Sequence, residues 1–160
     1  NIKIKIEPIK DFSRAEEMFN RTNQFNTSHK KYSVRDLKNF SKNSNCKIFQ
    51  ISLFDKFGDY GIISLIILKI SRNDVVINDF LQSCRVFKRY VEDALLFNLN
   101  KKIVKRKNLY ILINRNKKNL YVQNWLDKSK DFKKIHNSKF KYLNLMSQSD
   151  FKKLNIKIEN

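Results

Sequence analysis

The chain has 160 residues, enough for one domain with a real core and too short for two. Lys and Arg total 34 against 15 Asp and Glu, a formal charge of +19, yet 41% of residues are apolar and 12% aromatic, which excludes a disordered basic tail. Two Gly and one Pro exclude collagen-like and linker-like chains, and two Cys (Cys46 and Cys84) exclude a disulfide scaffold or a Cys-rich zinc site.

Ile2, Ile4 and Ile6 alternate with Lys3 and Lys5, which predicts a strand closed by Pro8. Asp11 or Ser13 can cap a helix whose apolar face is Phe12, Ala15, Met18 and Phe19. A polar stretch from Arg21 to Ser28 follows, and Ser33 caps a second short helix with Leu37 and Phe40 inward. Lys47 to Phe54 alternates as a strand, and Phe57 to Gly61 holds both glycines and reads as a hairpin turn. Ile62 to Ile70 is almost wholly β-branched or Leu, as in a strand buried on both faces. Val75 to Gln82 is a further strand, and Val86 to Lys105 reads as one long helix. Leu109 to Ile113 is a strand, Leu120 to Lys128 a helix, and Phe132 to Ile135 and Lys139 to Leu145 are strands. Ser149 caps a last turn around Phe151 and Leu154.

The predicted order is β-α-α-β-β-β-α-β-α-β-β, without linker or repeat, and we read residues 1–160 as a single α/β (α+β) domain. This is the layout of the GNAT (N-acetyltransferase) fold, a mixed, mostly antiparallel sheet flanked by helices. In that fold the loop between the fourth strand and the long helix cradles the pyrophosphate of a coenzyme A thioester, through backbone N–H groups and a helix N-terminus.

Four segments carry a more specific resemblance. Arg21 to Asn26 with Lys30 to Ser33 resembles the "TNQFN…RRY(S/T)" segment of FkbH-like proteins, and Phe54 to Gly61 resembles their "DrFGdnG" turn. Ser83 to Val86, with Arg89, Val91 and Glu92, resembles "SCRVlgRgvE", and Lys118-Asn119 resembles "T.KN". The resemblance implies the C-terminal GNAT-like module of a HAD-superfamily subfamily IIIC protein. The catalytic Asp-x-Asp of the HAD domain is missing from this sequence, so that domain is expected upstream in a longer chain. The family's R-x-x-G-x-G loop would begin at Arg85, but Lys88 and Tyr90 fill both glycine positions. Leu126 stands where the family commonly has a Tyr, and in amine acetyltransferases a Tyr near this place donates a proton to the leaving thiolate.

Cys84 is a candidate nucleophile, since a strand end, a helix start and Arg85 would each favour its thiolate; the alternative is a small core residue. Asp79 is a candidate general base, provided its side chain faces the cleft. Arg85, Lys88 and Arg89, with Val86 and Tyr90 of the same turn, form the candidate cofactor seat, because cations at a helix start call for an anion. Asn23, Gln24, Asn26 and Asn119 are candidate substrate-side polar groups, or else local caps. Glu92 reads as bridging to Arg89 or Lys88 along the helix. His29 and His136 have no metal spacing, so no metal is expected.

The expected function is therefore acyl or glyceryl transfer, with a phosphopantetheine-type thioester arm bound at the strand-helix junction. The arm belongs to an acyl carrier protein, which is generally acidic and suits the positive field, or to coenzyme A. The alternative is an inactive docking domain for a carrier or partner enzyme. Nucleic acid is not an expected partner, because Lys supplies 26 of the 34 cations and Arg is scarce. No apolar run is long enough for a membrane span, and a cytoplasmic location is expected from cysteine usage and the lack of a visible signal peptide.

Overall fold

The computed structural model describes residues 2–159. In chain order they form β1 (Ile2–Pro8), α1 (Phe12–Arg21), α2 (Val34–Ser41), β2 (Cys46–Asp55), β3 (Gly58–Ile70) and β4 (Asp74–Gln82). A short turn at Cys84–Val86 precedes α3 (Val91–Leu99), which runs into a wider turn at Asn100–Val104. The remaining elements are β5 (Asn108–Leu112), α4 (Leu120–Lys128), β6 (Phe132–His136), β7 (Lys139–Tyr142), α5 (Gln148–Lys153) and β8 (Ile156–Glu159). One eight-stranded sheet results, in the order β6-β7-β5-β4-β3-β2-β1-β8. Only the β4–β5 and β1–β8 pairs are parallel.

β3 shows why both of its faces are apolar. Ile66 and Leu68 join the core shared with α3 and α4, while Leu65 and Ile67 join the core under α1 and α2. The helix starts are built as their sequences suggest. The Asp11 carboxylate accepts from the Arg14 amide at 2.8 Å, and Ser33 and Asp36 complete a capping box.

Several local features depart from the sequence reading. The first hairpin turns at Lys56 and Phe57, and Gly58 to Gly61 already belong to β3. The long helix begins at Val91 rather than Val86, because Lys88 and Tyr90 adopt left-handed φ angles of 60° and 57° that a right-handed helix cannot contain. Ser147, not Ser149, caps α5, accepting from the Asp150 amide at 3.1 Å. Finally, the last four residues of the described chain form β8, which pairs with the β1 edge and buries Ile156. A lone IKIE alternation is too short to announce itself; it becomes a strand because β1 offers an open ladder.

Candidate active site

The site lies where β4 parts from β5. The two strands pair from Asp74/Asn108 to Ile77/Ile111 and no further. Asn78 is the extra residue of a bulge, since Ile67 of β3 faces Asp79 while Leu68 faces Ile77. A bulge bends its strand, and β4 beyond it leaves its partner. The backbone groups exposed by this parting need partners. Residues 25–27 supply them. The Thr27 amide donates to the Phe80 carbonyl at 3.1 Å, and the Gln82 amide to the Phe25 carbonyl at 3.0 Å. On the other side the Asn114 amide donates to the Thr27 carbonyl at 2.7 Å. Phe25 and Thr27 are fully buried, so the chain itself fills the opening in the sheet.

A groove remains beside this filling. Its volume is about 400 Å³, and it lies between the end of α1 and the loop after β4, with Arg21, Asn23, Gln24, Gln82, Cys84 and Arg85 in its wall. Arg14 and Arg21, two turns apart on α1, also reach it, and both are paired with Glu17. Lys88 and Tyr90 do not line the groove, and Tyr90 is 61% exposed. The Lys88 and Tyr90 side chains therefore leave it open.

The loop carries its own hydrogen bonds. The Val86 and Phe87 amides donate to the Ser83 and Cys84 carbonyls, each at 3.2 Å, and the Lys88 amide donates to the Tyr121 hydroxyl at 3.0 Å. Phe87 stacks on Tyr121 with ring centroids 3.9 Å apart. In the first turn of α3, Glu92 accepts from the Gln82 side-chain amide at 2.8 Å, and Asp93 accepts from the Trp125 indole at 2.9 Å. Glu92 is buried there and does not bridge to Arg89 or Lys88, which corrects the sequence expectation. Burial pushes both carboxyls above their ordinary range, against the opposing effect of these bonds.

The structure brings Cys84, Arg85, Asn23 and Gln24 together and disperses the other candidates. Cys84 and Arg85 are exposed, and the Arg85 Nε donates to the Ser83 hydroxyl at 3.1 Å. Val86 is fully buried. Arg89 turns away to an ion pair with Asp55 at 2.5 Å and lies over the Tyr60 ring. Asp79 is fully buried on the α1–α2 side, where it accepts from the Tyr32 hydroxyl at 3.2 Å. Burial and the Asp79 charge push the Tyr32 hydroxyl pKa up. Asn26 and Asn119 are buried braces. Asn26 donates to the Thr22 carbonyl at 2.9 Å, and Asn119 donates to the Asn26 and Asn114 carbonyls at 3.0 and 2.9 Å.

Arg14, Arg21 and Gln82 lie outside the sequence candidates. The seven-residue spacing of Arg14 and Arg21 is the signal that could have found the pair, since it places both on one helical face. Gln82 gave no signal, being one polar residue at the end of an apolar strand.

Part of this loop is closed to a coenzyme A diphosphate. The left-handed backbone at Lys88 and Tyr90 is what two glycines would adopt, but the amides of Val86, Phe87 and Lys88 are occupied and two carboxyls stand in the first turn of α3. A single phosphate at the groove, among Arg14, Arg21 and Arg85, meets no such competition beyond Glu17.

Comparison with solved structures gives the fold. A domain from Methanocaldococcus jannaschii DSM 2661 matches with a TM-score of 0.61 at 16% identity, over 89% of this chain and 97% of that one. The ribosomal-protein-S18-alanine N-acetyltransferase of Escherichia coli matches with 0.59 at 13% identity, over 91% and 97%. A GNAT-family acetyltransferase of Staphylococcus aureus Mu50 matches with 0.59 at 15% identity, over 88% and 99%. No protein-family model matches the sequence, and no curated protein does. The fold is thus the GNAT fold.

Proposed function

We propose that this GNAT-fold domain works in acyl or glyceryl transfer and receives a phosphopantetheine-type thioester arm in the groove beside Cys84. The observation that carries this reading is the groove itself: about 400 Å³, open past Cys84, with three arginines and an exposed thiol in its wall. Arg14, Arg21 and Arg85 hold the arm's single phosphate, and Asn23 and Gln24 bond the polar groups of the arm. Cys84 takes the acyl group by thioester exchange: its sulfur bonds the carbonyl carbon, the old C–S bond breaks, and the Cys84 proton passes to the departing sulfur. Asp79 faces Tyr32 and has no part in this chemistry. The formal charge of +19 favours an acidic carrier protein over free coenzyme A. The four matching segments support a place as the C-terminal module of an FkbH-like protein, after a HAD-type domain.

Titration with pantetheine 4′-phosphate, coenzyme A and a loaded carrier protein in low salt tests the reading. Binding of the pantetheine compound, weakened about tenfold by Arg21→Ala and Arg85→Ala together, supports it. Mass spectrometry should then find an acyl adduct that Cys84→Ser abolishes. No binding of any of the three refutes it. A second reading, a docking domain without chemistry, draws on the filling of the sheet opening by residues 25–27. It predicts carrier binding with no adduct at Cys84.

A further inference from the structure

A second cavity, of about 610 Å³, opens on the other side of Thr22 and Asn23, which line both cavities. Its remaining wall comes from the end of α1, the loop at 26–31 and the turn at 116–118. Lys31, Lys117 and Lys118 line it, none of them in an ion pair among the described residues, and no carboxylate does. In the groove beside Cys84, by contrast, Glu17 offsets the arginines.

The wall is pre-organised. The Lys118 amide donates to Asn116 Oδ1 at 2.8 Å, the Asn116 amide to Asn119 Oδ1 at 3.0 Å, and Gln123 Nε2 to the Asn116 carbonyl at 2.7 Å. These bonds fix the backbone of the turn that carries Lys117 and Lys118, just before α4, whose N-terminus has no side-chain cap bond and carries partial positive charge. His29 Nε2, also in the wall residues, is buried and has no partner among the described residues. Facing this positive side is the C-terminal end of α1, through Phe19, Asn20 and Thr22, where helix carbonyls carry partial negative charge and accept from hydroxyls. One side suits a compact anion and the other suits hydroxyl donors.

We infer that this cavity binds a phosphomonoester of a polyol, with the phosphate at Lys117, Lys118 and Lys31 and the hydroxyls toward the end of α1 and Asn23. Its role as acyl acceptor rests on the acyl-transfer reading above. A ligand hydroxyl oxygen forms the new ester bond, the thioester C–S bond breaks, and the hydroxyl proton passes to the freed sulfur. Binding itself does not depend on that reading.

The test is an amide and side-chain NMR titration in low salt with glucose 6-phosphate, and separately with glucose and inorganic phosphate. Glucose 6-phosphate should saturate, shift His29, Asn116 and Lys118, and bind more tightly than either fragment. Lys117→Ala with Lys118→Ala should weaken it about tenfold or more. Lys133→Ala with Lys134→Ala, an equal charge change on β6, should alter it less than about twofold. Equal losses in the two double variants would mean a diffuse basic field and overturn the proposal. So would shifts centred on Cys84 and Arg85, or no saturable binding. Pantetheine 4′-phosphate should shift Cys84 and not His29, so each cavity's assignment fails by its own signal.

Discussion

Glu92→Gln probes the junction between β4 and α3 through a defect visible in its hydrogen bonding. Glu92 is 4% exposed and accepts from Gln82 Nε2, while the buried Gln82 Oε1 has no partner among the described residues. An ionised Glu92 cannot donate, so above its folded pKa the pair combines a buried charge with an orphaned acceptor. A glutamine keeps the acceptor for Gln82 Nε2 and brings an N–H for Gln82 Oε1. An unsatisfied buried acceptor costs about 1–3 kcal/mol, so the substitution should stabilise the protein by about 1–2 kcal/mol near pH ~8. The sign with pH follows from the upward shift. Burial raises the folded Glu92 pKa above 4.5, so the folded state holds more protons than the unfolded one between those values. Native stability therefore falls as pH rises through that window, and Glu92→Gln removes part of the fall. Asp93, also shifted upward by burial, retains the rest. Near pH ~4 both states of the native protein carry a mostly neutral Glu92, and the two proteins should converge. Urea denaturation at the two pH values, followed by circular dichroism, reads the difference. A loss of stability near pH ~8, or an equal gap at both pH values, refutes the reasoning.

Lys88→Gly with Tyr90→Gly should relieve two left-handed residues, each costing about 1 kcal/mol, and net about 1 kcal/mol after the added unfolded-chain entropy. Thermal melts should show the gain, and the corresponding alanine pair should not. Asn119→Ala removes bonds to Asn26, Asn114, Asn116 and Gln123 at a fully buried site and should cost about 3 kcal/mol; a loss below about 1 kcal/mol would mean these loops hold without it. Cys84 is exposed, whereas Cys46 is half-buried and burial pushes its thiol pKa up. A thiol reagent should label Cys84 about tenfold faster or more, and Cys84→Ser should leave only the slow phase. Equal rates would contradict the open groove.

Local pattern determined much of this protein. The two-faced apolar run of β3, the caps at Asp11 and Ser33, and the span of α4 follow from periodicity and capping over a few residues, and these interactions look the same in any surroundings. The order of elements, and with it the fold, followed from them. Tertiary structure alone decided which side chains meet. Arg89 sits in a basic cluster in the sequence, but a carboxylate 34 residues away takes it out of the site. Arg14 and Arg21 join Arg85 only because α1 packs against the sheet beside the end of β4. The segment at 25–27 reads as a polar loop, and it is buried because a bulge at Asn78 strips β4 of its neighbour and leaves backbone groups that must be paired. Competition for partners acts through space, and a linear pattern does not encode who is left unpaired.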